Sequence, residues 1–234
     1  MQFRKLWFLQ RFNVFQDFPR EDLVTAARMM DEHTLKKRDR LYQSGDPADH
    51  VYFVKQGHLK ICRRGRFGQK ITLAILSPGE VFGELAFSGG EVHEQEVEAL
   101  ETSLICSITA KDFQALLDLK PALALRVIQN LGEQKRILER KIASLVFKDV
   151  PARLAEALLE LADGCGQPCV HHLARELVIT QQDLADLIGA TRQVVNATLK
   201  QFQRRGLIDS RWHCICLADP DGLRGVAGLT SYPH

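Results

Sequence analysis

The stretch TQQDLADLIGATRQVVNATLKQFQRRGLI, residues 180–208, carries the strongest local pattern in the chain. Thr180 is a good N-cap, and three apolar residues follow it at helical spacing: Leu184, Leu187 and Ile188. Gly189 readily adopts positive φ and therefore predicts the end of this first helix. A second helix is predicted from the cap Thr191 to Gly206. Its inward face is predicted to consist of Val194, Val195, Leu199 and Phe202. The pattern predicts two helices joined by a tight turn, a helix-turn-helix.

The other face of the second helix is polar and basic. Glutamine and asparagine can bond bidentately to adenine, arginine can do so to guanine, and lysine suits phosphate. A recognition helix presents its N-terminal residues to base edges in the major groove of DNA. The candidate DNA-binding residues are Arg192, Gln193, Asn196, Lys200, Thr191, Thr180, Arg204 and Arg205. The alternative is an ordinary helix pair with a solvated polar side.

Composition limits the classes of protein to consider. The 234 residues suit one large or two small domains, and 45% hydrophobic residues exclude global disorder. The formal net charge of +2 is too small to indicate nucleic-acid binding by itself. The indication comes instead from the basic residues of the second predicted helix. The sequence has no run of eighteen apolar residues and no signal-peptide pattern. We therefore expect a cytoplasmic protein with mostly reduced cysteines and no membrane partner.

The first half of the chain changes from a helical to a strand pattern. Residues up to about Met30 are predicted to be helical. Short apolar runs separated by glycine turns then follow from Leu41 to about Ile108. Many short strands in succession indicate an antiparallel roll or barrel.

Three segments of this half carry a family resemblance: Gly45-Asp46-Pro47-Ala48, Val51-Tyr52-Phe53-Val54 and the run PGEVFGELA at 78–86. They resemble a cyclic-nucleotide-binding fold. Together with the helix-turn-helix, the chain resembles the CRP/FNR superfamily of bacterial transcription regulators from about Leu6 to Leu223. The resemblance implies an α+β fold with an N-terminal antiparallel β-roll, a long dimerisation helix and a C-terminal winged helix-turn-helix. It also implies a homodimer that binds double-stranded palindromic DNA and RNA polymerase.

The domain boundaries follow from this scheme. We expect a β-roll sensor domain at 1–118, a dimerisation helix at 119–148, a winged-helix DNA-binding domain at 149–225 and a tail at 226–234. Asp149-Val150-Pro151 is predicted to break the chain between helix and DNA-binding domain, since the residue before proline disfavours helix.

The long helix carries an apolar stripe at alternating steps of three and four, which is typical of a coiled-coil seam. The predicted dimer interface consists of Ile128, Leu131, Lys135, Leu138, Ile142 and Leu145, with Ala124 preceding it. Lys135 is the one charged member of the seam. The alternative is a helix that packs its stripe onto its own domain.

The effector pocket departs from the family pattern. The candidate pocket residues are Phe82, Gly83, Glu84, Leu85, His93 and Glu94. Members that bind cyclic AMP follow Phe-Gly-Glu with an Arg-Ser or Arg-Thr pair, and here His93 and Glu94 stand in its place. We further expect the acids Glu91, Glu94, Glu96 and Glu98, on a presumed strand, to repel a phosphate. Cyclic AMP is therefore not expected as the effector, and the cofactor stays unknown.

A haem- or metal-binding gas or redox sensor is the alternative regulator. His93 beside a carboxylate could bind metal or haem iron. Cysteines 165, 169, 214 and 216 could form a zinc site or a thiol switch, although core packing is the commoner role. No metal ligand set is predicted. No cysteine precedes Cys62, which disfavours the family's iron–sulfur cluster.

Two rival classes remain: a hydrolase, and a ligand-binding module that no longer reads DNA. The sequence has no nucleophile elbow or phosphate loop, so no catalytic residue is predicted and the protein is not expected to be an enzyme. The second class rests on two departures: Ala197 stands where many family members have arginine, and Thr198 occupies a usually apolar position.

Overall fold

The computed structural model describes residues 9, 12–15, 18–66, 68–83, 86, 92–168, 175–211 and 214–229. Of the residues discussed above, Glu84, Leu85, Glu91 and Cys169 lie outside these ranges. The chain forms two compact units, one of residues 1–63 with 74–138 and one of residues 64–73 with 139–234. A 3₁₀ turn, Asn13–Phe15, precedes the first helix. The helices are α1 (Arg20–Arg28), α2 (Ala110–Leu119), α3 (Ala122–Phe147), α4 (Val150–Cys165), α5 (Gln181–Ile188), α6 (Arg192–Arg204) and α7 (Pro220–Ala227).

The strands of the first half form two four-stranded sheets. They are β1 (Asp31–Leu35), β2 (Arg40–Tyr42), β3 (His50–Gln56), β4 (Leu59–Arg64), β5 (Lys70–Leu76), β6 (Val81–Phe82), β7 (Glu96–Ala99) and β8 (Ser103–Thr109). The sheet orders are β1-β8-β3-β6 and β2-β7-β4-β5. Val54 and Ile105 from the first sheet pack with Leu59 and Val97 from the second in one buried cluster. The predicted antiparallel roll is confirmed.

Strand β1 was not predicted. Its sequence is DEHTL, and its first four residues are exposed, so it has no alternation of apolar and polar side chains. The strand forms because its backbone pairs with β8, from Asp31 opposite Ser107 to Leu35 opposite Ser103.

Glycines set two turns that shape the roll. Gly79 has φ +99° in the turn between β5 and β6, where the Glu80 amide donates to the Ser77 carbonyl at 3.1 Å. Gly83 has φ +95°, and a Cβ there would lie 2.5 Å from the His50 carbonyl oxygen. Only glycine fits both the backbone angle and the space at position 83.

The long helix ends two residues before Asp149, and Val150, which was expected to disfavour helix because it precedes Pro151, is instead the first residue of α4. Helix α3 is 26 residues long and stops at Phe147. Asp149 then caps α4 by accepting a hydrogen bond from the Ala152 amide at 2.9 Å, and Pro151 lies in the first turn of α4. Proline is well tolerated there because the first-turn amides lack helical partners.

Where the structure describes it, the C-terminal unit contains the end of α3, a small sheet and the four helices α4 to α7. Strands β9 (Gln167–Pro168), β10 (Arg175–Val178), β11 (Ile208–Arg211) and β12 (Cys214–Leu217) form an antiparallel sheet in the order β11-β12-β10-β9. Helix α4 continues through Gly164 to Cys165. Helix α7 was not predicted either, and its Leu223 and Ala227 are buried.

Within the described residues, no helix is long and apolar enough to cross a membrane.

Candidate DNA interface and effector pocket

Helices α5 and α6 form the predicted helix-turn-helix. The Thr180 hydroxyl accepts from the Asp183 amide at 3.0 Å and donates to the Asp183 carboxylate at 2.5 Å, so it is fully used as a cap. Gly189 ends α5 with φ +64°, in the left-handed region. The Thr191 hydroxyl caps α6 by accepting from the Val194 amide at 3.4 Å. Both predicted caps are therefore present.

The inward face of α6 differs from the prediction at one position. Val195, Leu199 and Phe202 are buried as expected, but Val194 is 43% exposed. Thr198 takes the inward place, 6% exposed, and its hydroxyl donates to the Val194 carbonyl at 2.9 Å. A threonine is accommodated there because this bond satisfies its hydroxyl.

Four residues lie along the centre of the outward face of α6: Gln193, Ala197, Lys200 and Arg204. They are spaced four, three and four residues apart, so they form one line on the helix surface. At 100° per residue, this line is directly opposite the buried line Val195, Leu199 and Phe202. All four are exposed. Arg192 and Asn196 lie at one side of the line, and Asn196 is half-buried.

The polar side chains of this face are not engaged elsewhere in the described part of the chain. Arg192, Gln193, Asn196, Lys200, Arg204 and Arg205 form no side-chain hydrogen bond or ion pair there. Their donors are available to a ligand outside the chain. Thr180 and Thr191 are different, since each hydroxyl already binds a backbone amide.

The pocket residues of the roll are only partly brought together. The His93 ring is 1% exposed and stacks on Tyr42 with 3.6 Å between ring centroids and 7° between planes. Phe82 lies near the same tyrosine, at 6.5 Å. Glu94 instead points to the surface, where its carboxylate accepts from Arg63 at 2.7 Å. The residues that stand in place of the family's Arg-Ser pair therefore do not form a joint site.

The presumed strand of the acids is shorter than expected, since Glu94 precedes it and Glu91 lies outside the described residues. Strand β7 begins only at Glu96, and His93 is held by two backbone bonds instead. The Gly45 amide donates to the His93 carbonyl, and the His93 amide donates to the Asp46 carbonyl, each at 2.8 Å. These bonds fix the turn that brings His93 into the interior of the roll.

The acids near the pocket are neutralised by cations on neighbouring strands. Besides the Glu94–Arg63 pair, Glu98 lies 3.0 Å from Lys60 and Glu96 lies 4.0 Å from Arg40. Lys60 and Glu96 are both buried. The expected repulsion of a phosphate by these three carboxylates is therefore weaker than their count indicated. The case against cyclic AMP rests instead on the missing arginine.

Two tyrosines that the sequence did not single out line this interior. Tyr42 and Tyr52 are buried, with ring centroids 5.6 Å apart, and Tyr52 stacks on Phe82 at 5.2 Å. Burial, with smaller contributions from Asp49 and Asp46, raises the pKa of Tyr52 to about 12. The sequence signal that could have identified these two tyrosines is their position in the strands on either side of the Gly45-Asp46-Pro47 turn.

A small cavity also lies between the roll and α3. Its walls are mainly apolar, and include Val51, Val81 and Leu131. The Gln134 amide group at its rim donates to the Val81 carbonyl at 2.8 Å. This cavity offers little that would recognise a phosphate.

The cysteines do not assemble a metal site in the described ranges. No group of three or more His, Cys, Asp or Glu residues there could hold a metal ion. The Cys165 thiol bonds to the Leu161 carbonyl at 3.1 Å, and Cys214 is also a free thiol. A hydrogen bond with the Glu176 side chain, together with burial, raises the pKa of Cys214. Cys216 is disulfide-bonded.

The predicted seam of α3 is largely uncovered in the single chain. Ile128, Leu131, Leu138 and Ile142 are all exposed, as is Lys135. Leu145 is half-buried, and its Cδ2 atom would lie 3.2 Å from a Cβ at Gly189. The last seam residue therefore packs against the helix-turn-helix of its own chain.

Each half of the chain matches a known domain family. A cyclic nucleotide-binding domain matches residues 32–120, and a Crp-like helix-turn-helix domain matches residues 152–226. The CRP-like cAMP-activated global transcriptional regulator of Mycobacterium tuberculosis is 26% identical over 215 residues, covering 92% of this chain and 96% of that protein. The cAMP-activated global transcriptional regulator CRP of Escherichia coli is also 26% identical, covering 76% of this chain and 85% of its own length.

Solved structures share the architecture. A CRP-family transcriptional regulator from Thermus thermophilus superposes with a TM-score of 0.76 at 24% identity, covering 84% of this chain and 96% of its own. The c-di-GMP responsive global regulator CLP of Xanthomonas campestris gives 0.75 at 22%, covering 85% and 99%. These relatives are transcription regulators and not enzymes. The two domains, in this order and joined by one long helix, place the chain in the CRP/FNR family of DNA-binding transcription regulators.

Proposed function

We propose that the protein acts as a homodimer that reads a palindromic operator with α6 and contacts RNA polymerase at the promoter. The observation that carries the proposal is the outward face of α6, where polar and cationic side chains have no partner among the described residues. Contact with RNA polymerase is supported by the relatives named global transcriptional regulators. The work of such a protein is binding in the cytoplasm, where a bacterial chromosome lies, and not catalysis.

The apolar stripe of α3 supports the homodimer. Four large aliphatic side chains at seam spacing are exposed in the single chain, and a second copy would cover them. A two-fold axis would present two identical recognition helices. The operator should then be palindromic, with half-site centres one helical turn, about 34 Å, apart.

We infer that cyclic AMP is not the effector. The interior of the roll holds a stacked His93 where cyclic-AMP-binding members have their phosphate arginine. Relatives with this fold include one named as activated by cAMP and one as responsive to c-di-GMP, so the fold alone does not select the effector. The close stack on Tyr42 supports a packing role for His93 rather than haem or metal ligation.

Paired substitutions on α6 test DNA reading. Gln193→Ala should weaken binding to the preferred operator by roughly 1–3 kcal/mol and change binding to random DNA little, because only the operator presents the base edge that Gln193 reads. Lys200→Ala should weaken both alike and lower the slope of log affinity against log salt by about one per contacted phosphate. Fluorescence anisotropy with both DNAs at two salt concentrations measures these effects.

Glu133→Ala, on the exposed side of α3, is the control and should change neither affinity. Equal losses for Gln193→Ala on operator and random DNA would show that α6 does not read sequence.

A further inference from the structure

We propose that Ala197 reads the methyl group of a thymine, so that each half-site contains a T·A pair beneath the middle of α6. The inference rests on the proposed function, because it specifies which DNA this helix recognises.

The first step is the position of Ala197. It is exposed and lies on the central line of the outward face, four residues after Gln193 and three before Lys200. A recognition helix directs its N-terminal residues at the base edges of the major groove, which here are the first two residues of this line, Gln193 and Ala197. Asn196, which lies to one side and is half-buried, is less well placed for the groove floor.

The second step is the chemistry of the surface at this point. Ala197 offers a single methyl group, and the exposed Val194 lies one turn earlier on the same side. We call these two residues the apolar facet. It is flanked by the polar side chain of Gln193 and the cationic side chain of Lys200. An apolar facet inside a polar reading surface cannot form hydrogen bonds with bases.

The third step is the complement that DNA provides. The C5-methyl group of thymine is the only methyl group that the base pairs present in the major groove. The other base edges present hydrogen-bond donors and acceptors, and these would lose water against Ala197 without a new partner. Thymine is therefore the base whose edge matches the facet.

The fourth step fixes the distance along the DNA. Residues 193 and 197 are separated by about 6 Å along the helix axis, from a rise of about 1.5 Å per residue. Base pairs along the duplex are about 3.4 Å apart. The thymine should therefore lie within two base pairs of the base contacted by Gln193.

The experiment first selects the preferred operator from random DNA and then removes one methyl group. Replacing the thymine of the candidate pair by uracil deletes only its C5-methyl. We expect binding to the full-length protein to weaken roughly threefold to fivefold per half-site, from the value of one buried methyl group. In Ala197→Gly the ratio between thymine and uracil operators should fall close to one. Ala197→Ser serves as a second variant if thermal melting shows that the glycine variant is unfolded.

Two controls locate the effect. Uracil in place of a thymine outside the half-sites should leave affinity unchanged. Gln193→Ala should lower the affinity for both operators but preserve the ratio of affinities for thymine and uracil operators, because Gln193 reads a different base.

The outcomes separate the inference from the proposed function. If selection enriches no sequence, the proposed function fails and the inference fails with it. Three outcomes overturn only the inference. The enriched operator has no T·A pair within two base pairs of the base contacted by Gln193, or the protein binds the uracil operator as tightly as the thymine operator. The third is that the affinity ratio between these two operators is unchanged in the Ala197 variants. Ala197→Arg adds a positive result: the preferred pair there should change from T·A to G·C, since arginine bonds bidentately to guanine.

Discussion

Gly83 shows how a single residue can imitate a functional motif. Its φ of +95° and the 2.5 Å approach of a Cβ to the His50 carbonyl exclude other side chains. The glycine is thus explained by backbone geometry alone, whether or not a nucleotide binds beside it. A Phe-Gly pair in this turn is evidence for the roll and not for its ligand.

The pocket was the part of the site that the sequence predicted least well. The missing arginine can be read from the order of residues, but the stack of His93 on Tyr42 depends on two segments that are far apart in sequence. The same holds for the ion pairs of Glu96 and Glu98, whose partners Arg40 and Lys60 are on other strands. Alternating charge along one segment does not show where its counter-charges lie.

The residue-scale prediction concerns cyclic AMP. Isothermal calorimetry should give a dissociation constant weaker than about 1 mM, because no arginine compensates for desolvating the phosphate and the stacked His93 occupies part of the interior. The Mycobacterium tuberculosis relative, named as cAMP-activated, is the positive control under the same conditions. A micromolar dissociation constant for this chain would overturn the inferred effector assignment.

At the scale of elements, periodicity and caps identified helices α5 and α6 to within a residue or two. Their apolar positions repeat at helical spacing, and Thr180, Gly189 and Thr191 mark the ends by local chemistry. Val194 was wrongly predicted to face inward because it is next to Val195. Hydrophobicity alone does not show which of two adjacent valines is buried. Helix α7 was missed because it is short and contains Gly222 and Gly225, yet Leu223 anchors it in the core.

The joint between α3 and α4 is held by one carboxylate. Glu156 on α4 accepts a hydrogen bond from the Ser144 hydroxyl at 2.5 Å and pairs with Lys148 at 2.7 Å. Arg153 adds a bond to the Leu145 carbonyl at 3.3 Å. These contacts fix the end of the long helix to the first helix of the DNA-binding domain.

The element-scale prediction follows from this joint. Glu156→Ala should lower the free energy of unfolding by about 1–2 kcal/mol, since it removes a charged hydrogen bond and an ion pair that are only partly exposed. Denaturant titration measures the loss. Glu133→Ala, which breaks an exposed pair with Arg136 on α3, should cost at most about 0.5 kcal/mol. Equal losses for the two variants would show that Glu156 has no special role at the joint.

At the scale of the whole molecule, the exposed stripe on α3 is the main unpartnered apolar surface of the described chain. Ile128, Leu131, Leu138 and Ile142 are each between 37% and 62% exposed. Isolated exposed aliphatic residues are ordinary, but a row at coiled-coil spacing favours pairing with a second helix. The heptad spacing could be predicted from the sequence, whereas the exposure of these side chains in the single chain could not.

The whole-molecule prediction tests this pairing. Leu138→Asp should shift the protein toward monomer by several kcal/mol, because dimerisation would bury a carboxylate without a partner. Sedimentation velocity at micromolar concentration measures the oligomeric state. Gln129→Asp introduces the same charge at an exposed position on the opposite side of α3 and should leave a dimer. A dimer that survives Leu138→Asp would show that the seam is misassigned.

Strand β1 affects how the protein behaves in solution. It stands at the end of its sheet, with β8 as its single strand neighbour among the described residues, and its outer residues are exposed. An open edge of this kind can add a strand from another molecule and start aggregation. Asp31 puts an exposed carboxylate on this edge strand, whereas Glu32 pairs with Lys55 of β3 at 2.5 Å, and a charged side chain on an edge strand discourages such pairing. The same polar sequence that gave β1 no recognisable strand pattern therefore disfavours aggregation through this edge of the sheet.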